Sequence, residues 1–283
     1  MTIDENWYSE AARGFGMSLE ISEKLHEEQS PYQKIEIYQT KTFGRLMTLD
    51  GLTMVTDRDN FVYHEMMSHP VLFNHPNPKD VAIVGGGDCG TLREVLKHGS
   101  VKSAIQIELD ECVTRVAEEF FPELCESNSD PRATLLFEDA IAWMQNAKPK
   151  SLDIIILDTT DPVGQAKRLF SEAFYTDCLN ALREGGMVVA QSESPMFDKE
   201  LISDIHSELN KAGFAEIQTI HFPQITYPSG WWSATMARRD QKFGDFREQS
   251  VIRKPFATKY YNADIHRACS ALPQFLLDAL DAN

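Results

Sequence analysis

A chain of 283 residues, 42% hydrophobic and 25% charged, can bury a large core, as one big domain or as one domain with a smaller companion. Its 27 basic residues stand against 43 acidic ones, a formal net charge of −16 that repels a phosphate polymer and attracts a small cation, which argues against a nucleic-acid partner. No apolar run approaches the roughly 20 residues that span a bilayer, and the five cysteines (Cys89, Cys112, Cys125, Cys178, Cys269) are scattered, odd in number and never in CxxC spacing, which argues against a disulfide framework or a zinc site.

The opening "MTIDENWYSEAARG" is acidic and lacks the basic-then-apolar pattern of a secretory signal, so a cytoplasmic address is expected, with no membrane partner. From about Met17 to Thr56 the pattern is that of strands. "QKIEIYQTK" alternates apolar and polar residues, and "RLMTLDGLTMVT" places Asp50-Gly51 between two apolar runs, a strong hairpin signal. A small N-terminal antiparallel sheet, residues 1–60, is expected to pack on the rest of the chain or on another subunit.

From about Phe61 onward strands and helices alternate, giving a second domain over residues 61–283. Apolar runs stand at "VAIV" (81–84), "AIQI" (104–107), "ATLLF" (133–137), "LDIIIL" (152–157) and "GMVVAQ" (186–191). Helical patterns such as "TLREVLKHG", "CVTRVAEEFF", "AIAWMQNA" and "SEAFYTDCLNALREGG" lie between them, and "ALPQFLLDAL" reads as a closing helix. Runs this apolar belong to strands covered on both faces. With "EIQTIHF" and "WWSATMARR" added, the fold class is α/β: a Rossmann fold with a mostly parallel sheet of about seven strands.

The first of these strands runs into "GGGDCG". Gly85, Gly87 and Gly90 satisfy GxGxxG, and a helix follows with free N–H groups at its start. Alone the motif is weak. Its context adds an acid after each of four strands: Asp88 in the turn, Glu108 about 20 residues on, where an acid grips a ribose diol, then Asp139 in "EDA", and Asp158 and Asp161 in "LDTTDPVG". One such acid is commonly a helix N-cap, but four in succession point to one ligand. A ribose-gripping Glu without a basic partner for phosphate suggests a nucleoside, and Asp88 favours a cationic one, such as a sulfonium. No His, Cys and carboxylate cluster has metal-ligand spacing, and no metal is expected.

Together "YHEM", "GGGDCGTLREVLKHG", "IELD", "LDTTDPVG" and "TYPSGWW" resemble the spermidine synthase family of polyamine aminopropyltransferases, bacterial putrescine aminopropyltransferases above all. The resemblance runs from Trp7 to "YYNADIHRACSALP", with the motifs in the family's order. It implies a methyltransferase-type Rossmann domain behind the N-terminal sheet. It also implies decarboxylated S-adenosylmethionine as aminopropyl donor, putrescine as acceptor, spermidine and methylthioadenosine as products, no cofactor beyond that co-substrate, and a homodimer or homotetramer. Carried over residue by residue, the donor site comprises Gln33, Tyr63, His64, Gly85, Gly87, Asp88, Glu108 and Asp139. Glu108 would hold the ribose hydroxyls, Asp139 the adenine amine and Asp88 the ammonium of the aminopropyl arm. The acceptor site comprises Tyr63, His64, Asp158, Asp161, Glu193 and Tyr227, with Asp158 as proton acceptor, and residues 159–175 match a loop that closes over both substrates.

Two positions depart from the family pattern: Cys89 stands where glycine is usual, and Gln165 where proline is. Judged without the resemblance, Tyr63 and His64 read as the start of a helix, Tyr227 as part of a Pro-Gly turn, and Trp231 and Trp232 as core or subunit packing. A methyltransferase using the intact donor, such as a putrescine N-methyltransferase, an NAD-linked dehydrogenase and a non-enzymatic polyamine binder remain open on the residues alone.

Overall fold

The computed structural model describes residues 6–12, 14–160 and 164–281. Five antiparallel strands, β1 (Trp7–Ala12), β2 (Phe15–Gln29), β3 (Lys34–Thr40), β4 (Arg45–Leu49) and β5 (Leu52–Thr56), pair in chain order. The β4–β5 turn is the expected one: Asp50 (φ 50°) and Gly51 (φ 79°) both lie in the left-handed region that a two-residue hairpin needs. The sheet begins ten residues earlier than its alternation suggests. β2 is mostly exposed and shifts register twice against β3, between Ile21 and Glu23 and between Lys24 and His26, so its polar sequence shows no sustained period.

The second sheet has seven strands: β6 (Asp80–Gly85), β7 (Ser103–Glu108), β8 (Ala133–Phe137), β9 (Leu152–Asp158), β10 (Leu182–Gln191), β11 (Glu216–Pro223) and β12 (Trp231–Arg238). Their order is β11-β12-β10-β9-β6-β7-β8, parallel except that β12 runs antiparallel to both its neighbours. This is the α/β fold expected. The principal helices are α1 (Asn60–Asn74), α2 (Gly90–Leu96), α3 (Glu111–Phe120), α4 (Ala140–Gln145), α5 (Glu172–Ala181) and α6 (Lys199–Ala212), with α7 (Glu248–Ile252), α8 (Ala263–Ala268) and α9 (Gln274–Asp281) at the end.

Two boundaries differ from the sequence reading. α5 stops at Ala181, because Leu182 already pairs with Leu152 and the register slips through Gly185 and Gly186 before Met187 resumes it. α6 was not singled out, although its buried Ile202, Ile205, Leu209 and Ala212 recur at helical spacing and Gly213 (φ 98°) caps it.

The parallel strands divide their residues between two cores. Val81, Ile83, Ile154 and Ile156 pack with α1 and α2, while Ala82, Val84, Ile155 and Leu157 face α4, α5 and α6. A third core joins the two sheets: Ile35, Ile37, Met47 and Val55 of the N-terminal strands meet Val113, Val116 and Ala117 of α3. That docking hangs the small sheet over the carboxyl edge of the large one. At that edge the strand order reverses between β6 and β9, where Gly85 lies opposite Asp158.

Candidate active site

A cavity of about 620 Å³ opens at this switch point and is lined by Gly85, Gly87, Asp88, Glu108, Asp139 and Asp158, among others. Backbone contact builds its floor. Gly85 (φ 79°) presses so close to β9 that a β-carbon there would lie 2.2 Å from the Asp158 carbonyl oxygen. The next amide, Gly86 N–H, donates to that same oxygen at 2.7 Å. Glycine is thus required at position 85 by proximity as well as by φ.

Asp88 is held from two sides. Its Oδ1 accepts the Gly90 N–H at 2.8 Å, and its Oδ2 lies 3.0 Å from Nε2 of His64, a residue of α1 buried to 2% exposure. Burial opposes charge on both partners, yet each outweighs it for the other: His64 sits above the usual histidine range and Asp88 below the usual carboxylate range. Cys89 follows in the left-handed region (φ 67°), a conformation glycine adopts without steric cost. Its thiol is fully buried against the Gly87 carbonyl and Gln106 Nε2, and does not line the cavity.

Glu108 ends β7 inside the cavity, accepting the Asp110 N–H at 2.9 Å. Burial drives its carboxyl up to about 7, against the pull of the Asp110 and Leu109 amides. Among the described residues no cation pairs with it. Asp139 is an N-cap after all, accepting the Ile141 N–H at 2.8 Å, and it also lines the cavity. Gln33 reaches the cavity from the N-terminal domain, its amide donating at 2.9 Å to Asp110. Asp110, which also caps α3 and accepts the Ser30 hydroxyl at 2.6 Å, was missed in the sequence, where "ELDE" carries an N-cap signal and nothing more.

Asp158 closes the cavity. Tyr63 donates to its Oδ1 at 2.6 Å and Thr91 to its Oδ2 at 2.6 Å. Burial raises its carboxyl above the usual range and the Asp88 charge adds to that, while His64, Thr91 and Tyr63 pull the other way. Tyr63 also packs edge-on against Tyr227, whose hydroxyl donates to the Met54 carbonyl at 2.7 Å.

Beyond Tyr63 and Tyr227 the space continues into a second, narrow cavity of about 110 Å³, shared by Met54, Thr159 and Thr160. Glu193 lines it, buried and in the left-handed region (φ 60°), its carboxylate accepting from Gln191 at 3.1 Å. Glu10 of β1 lines the same cavity, fixed by the Thr53 N–H at 2.8 Å; a lone Glu in a strand gives no sequence signal. Trp232 packs in the core, as read from the sequence, and one side of it also lines this cavity. Trp231 does not, and binds His221 instead through its indole N–H at 2.9 Å.

The segment 159–175, expected as a loop over the substrates, is in part helix and core. Ala166 and Leu169 line the large cavity, but α5 begins at Glu172 and buries Phe174 and Tyr175 in the core. Asp161 and the side chain of Gln165 lie outside the described residues. Among the described residues no group of three or more His, Cys, Asp or Glu could hold a metal ion, and no helix is long and apolar enough to cross a membrane.

A parallel α/β sheet with a glycine turn and successive acids converging on its switch point defines a Rossmann-type enzyme that handles small ligands. Residues 60–246 match the spermine/spermidine synthase domain, and residues 6–57 the spermidine synthase tetramerisation domain. A polyamine aminopropyltransferase of Thioalkalivibrio sulfidiphilus is 58% identical over 276 residues, covering 97% of this chain and 98% of the relative. Its counterpart in Methylococcus capsulatus is 57% identical over 278 residues, covering 98% and 97%. Among solved structures, a spermidine synthase in complex with the transition-state analogue AdoDATO superposes with a TM-score of 0.94 at 36% identity, covering 100% of this chain and 97% of that one. A spermidine synthase from Thermotoga maritima gives 0.92 at 36% identity, covering 98% and 94%. The chain belongs to the spermine/spermidine synthase family of aminopropyl-transferring enzymes.

Proposed function

We propose that the chain transfers the aminopropyl group of decarboxylated S-adenosylmethionine to putrescine, releasing spermidine and methylthioadenosine. The carrying observation is the pair of joined cavities: a large one with Glu108 and Asp139 for a nucleoside, and a narrow one with Glu193 and Glu10 for an ammonium, meeting at Tyr63 and Tyr227, with Asp158 on the wall of the large one and bonded to Tyr63. Asp88 receives the donor's own ammonium, which no longer has a carboxylate beside it. Tyr63, Asp161 and Tyr227 complete the acceptor side, while His64, expected to touch substrate, lines neither cavity and acts by holding Asp88.

The acceptor nitrogen, once deprotonated, attacks the carbon next to sulfur. That carbon–sulfur bond breaks, its electrons neutralise the sulfonium, and methylthioadenosine leaves. Asp158 takes the proton the amine must shed, as a carboxylate already raised toward the working pH can. The walls supply alignment of nitrogen, carbon and sulfur. The match of residues 6–57 to a tetramerisation domain supports a homo-oligomer, a dimer or tetramer.

Incubation with putrescine and each donor in turn tests the reading. Methylthioadenosine from the decarboxylated donor is expected; S-adenosylhomocysteine from the intact donor makes the chain a methyltransferase, and no product makes it a binder. Activity is expected to persist after exhaustive chelation, because the sulfonium is already a good leaving group. A strict requirement for a divalent metal contradicts the mechanism.

Glu108 gives a pH signature. Ribose hydroxyls donate to its ionised form, so binding lowers a carboxyl that stands at about 7 in the free site. Affinity for methylthioadenosine is therefore full above that value and weakens as pH falls below it. Glu108→Gln should cost about 1–3 kcal/mol at high pH and flatten the dependence. Calorimetric titration across pH checks both, and an unchanged affinity removes Glu108 from the site.

A further inference from the structure

Thr91 plays no part in the mechanism above, yet it touches the group on which that mechanism turns. It is the second residue of α2, fully buried, and its hydroxyl donates to Asp158 Oδ2 at 2.6 Å. A threonine in a helix commonly turns its hydroxyl back to its own backbone. Here the first helical turn leaves it free to cross to the end of β9.

Its partner is surrounded by charge. From the glycine loop Asp88 repels the ionised Asp158, and from α1 the His64 ring, when protonated, attracts it, with the Tyr63 hydroxyl bound to Oδ1 at 2.6 Å. Glu108, at the end of β7, feels the Asp158 charge as well. Thr91 is thus the donor on Oδ2 as Tyr63 is on Oδ1. Two hydroxyls on separate oxygens fix the plane of the carboxylate and stabilise its ionised form.

We infer that Thr91 is a positioning residue for the proton acceptor: its hydroxyl sets the orientation of the Asp158 carboxylate and keeps it able to receive a proton. The inference rests on the reading of Asp158 as that acceptor. Thr91→Val removes the donor and keeps the shape, so Asp158 becomes harder to ionise.

The test is kcat against pH with both substrates saturating, for the parent enzyme, Thr91→Val, Thr91→Ser and Asp158→Asn. The acid limb of the Thr91→Val profile is expected to move up by about one to two pH units, the worth of a hydrogen bond to a charged group. Thr91→Ser is expected to keep the limb in place. Should valine not fold, Thr91→Ala removes the same donor with less bulk, and its limb must move too. A limb unmoved by losing the hydroxyl overturns the inference, as does a serine variant displaced as far as the valine one. The limb set by the carboxylate should vanish in Asp158→Asn, leaving only the slower rise at high pH as neutral amine appears. If it does so while Thr91→Val leaves it in place, only the role of Thr91 falls; if it persists there, Asp158 is not the base and both readings fall.

Discussion

Asp158→Asn is expected to lower kcat about 100-fold to 10,000-fold, the usual worth of a general base, while the protein melts no earlier than its parent. The two halves of that result have one cause. Asparagine fills the same space, and its carbonyl and amide can satisfy the hydroxyls of Tyr63 and Thr91, because a hydroxyl both donates and accepts. What it cannot do is take a proton.

Stability follows from the raised carboxyl. A group whose folded pKa lies above its unfolded value helps folding in acid and loses that contribution as pH rises through the folded value. At neutral pH the ionised Asp158 therefore burdens the fold, and Asn removes the burden. The difference in melting temperature should be small in acid and should open in favour of the variant as pH climbs past the carboxylate range. Raising the pH should also restore part of the lost turnover by supplying neutral amine. A variant that loses activity and stability together would mark Asp158 as a structural residue.

The residues that proved legible in the sequence were those whose position the backbone dictates. Glu108 and Asp158 end apolar strands, Asp88 sits in a glycine turn and Asp139 opens a helix, so strand periodicity alone sends all four to one edge. The two-faced apolar runs likewise gave the parallel sheet. Contacts between distant segments left no such trace. Glu10 reaches the narrow cavity only because β1 pairs on β2 and the small sheet docks on α3. Thr91 meets Asp158 across 67 positions of chain, and nothing local marks it as other than a helix residue. The β1–β2 hairpin escaped notice because its exposed, bulged strand is not amphipathic. Asp59 shows the same limit: its carboxylate takes the Thr56 hydroxyl at 2.5 Å and the Thr226 N–H at 3.1 Å, tying α1 to the segment that carries Tyr227.

The third glycine of the turn carries the other large effect, and its cause lies in α1 rather than in the backbone. A β-carbon at Gly90 would stand 2.2 Å, 2.3 Å and 2.5 Å from three atoms of the His64 ring. That ring cannot swing aside, being buried and held by Asp88 at 3.0 Å. Gly90→Ala should therefore destabilise the protein by about 1–3 kcal/mol or more, as overpacking does, and should weaken donor binding by displacing Asp88. His64→Ala should itself destabilise the protein, because it empties a buried ring site and leaves the half-buried Asp88 with the Gly90 N–H as a partner but without the histidine. In that background the obstruction at position 90 is gone. Gly90 opens α2 without a positive φ, so alanine there only trades a flexible helix residue for a better one, worth about 0.5–1 kcal/mol. The same substitution is thus expected to harm the parent and to help the His64→Ala variant. Urea unfolding of all four proteins measures the cycle. An equal penalty for Gly90→Ala in both backgrounds would show that the glycine answers to its own backbone, and that His64 and the turn do not share one space.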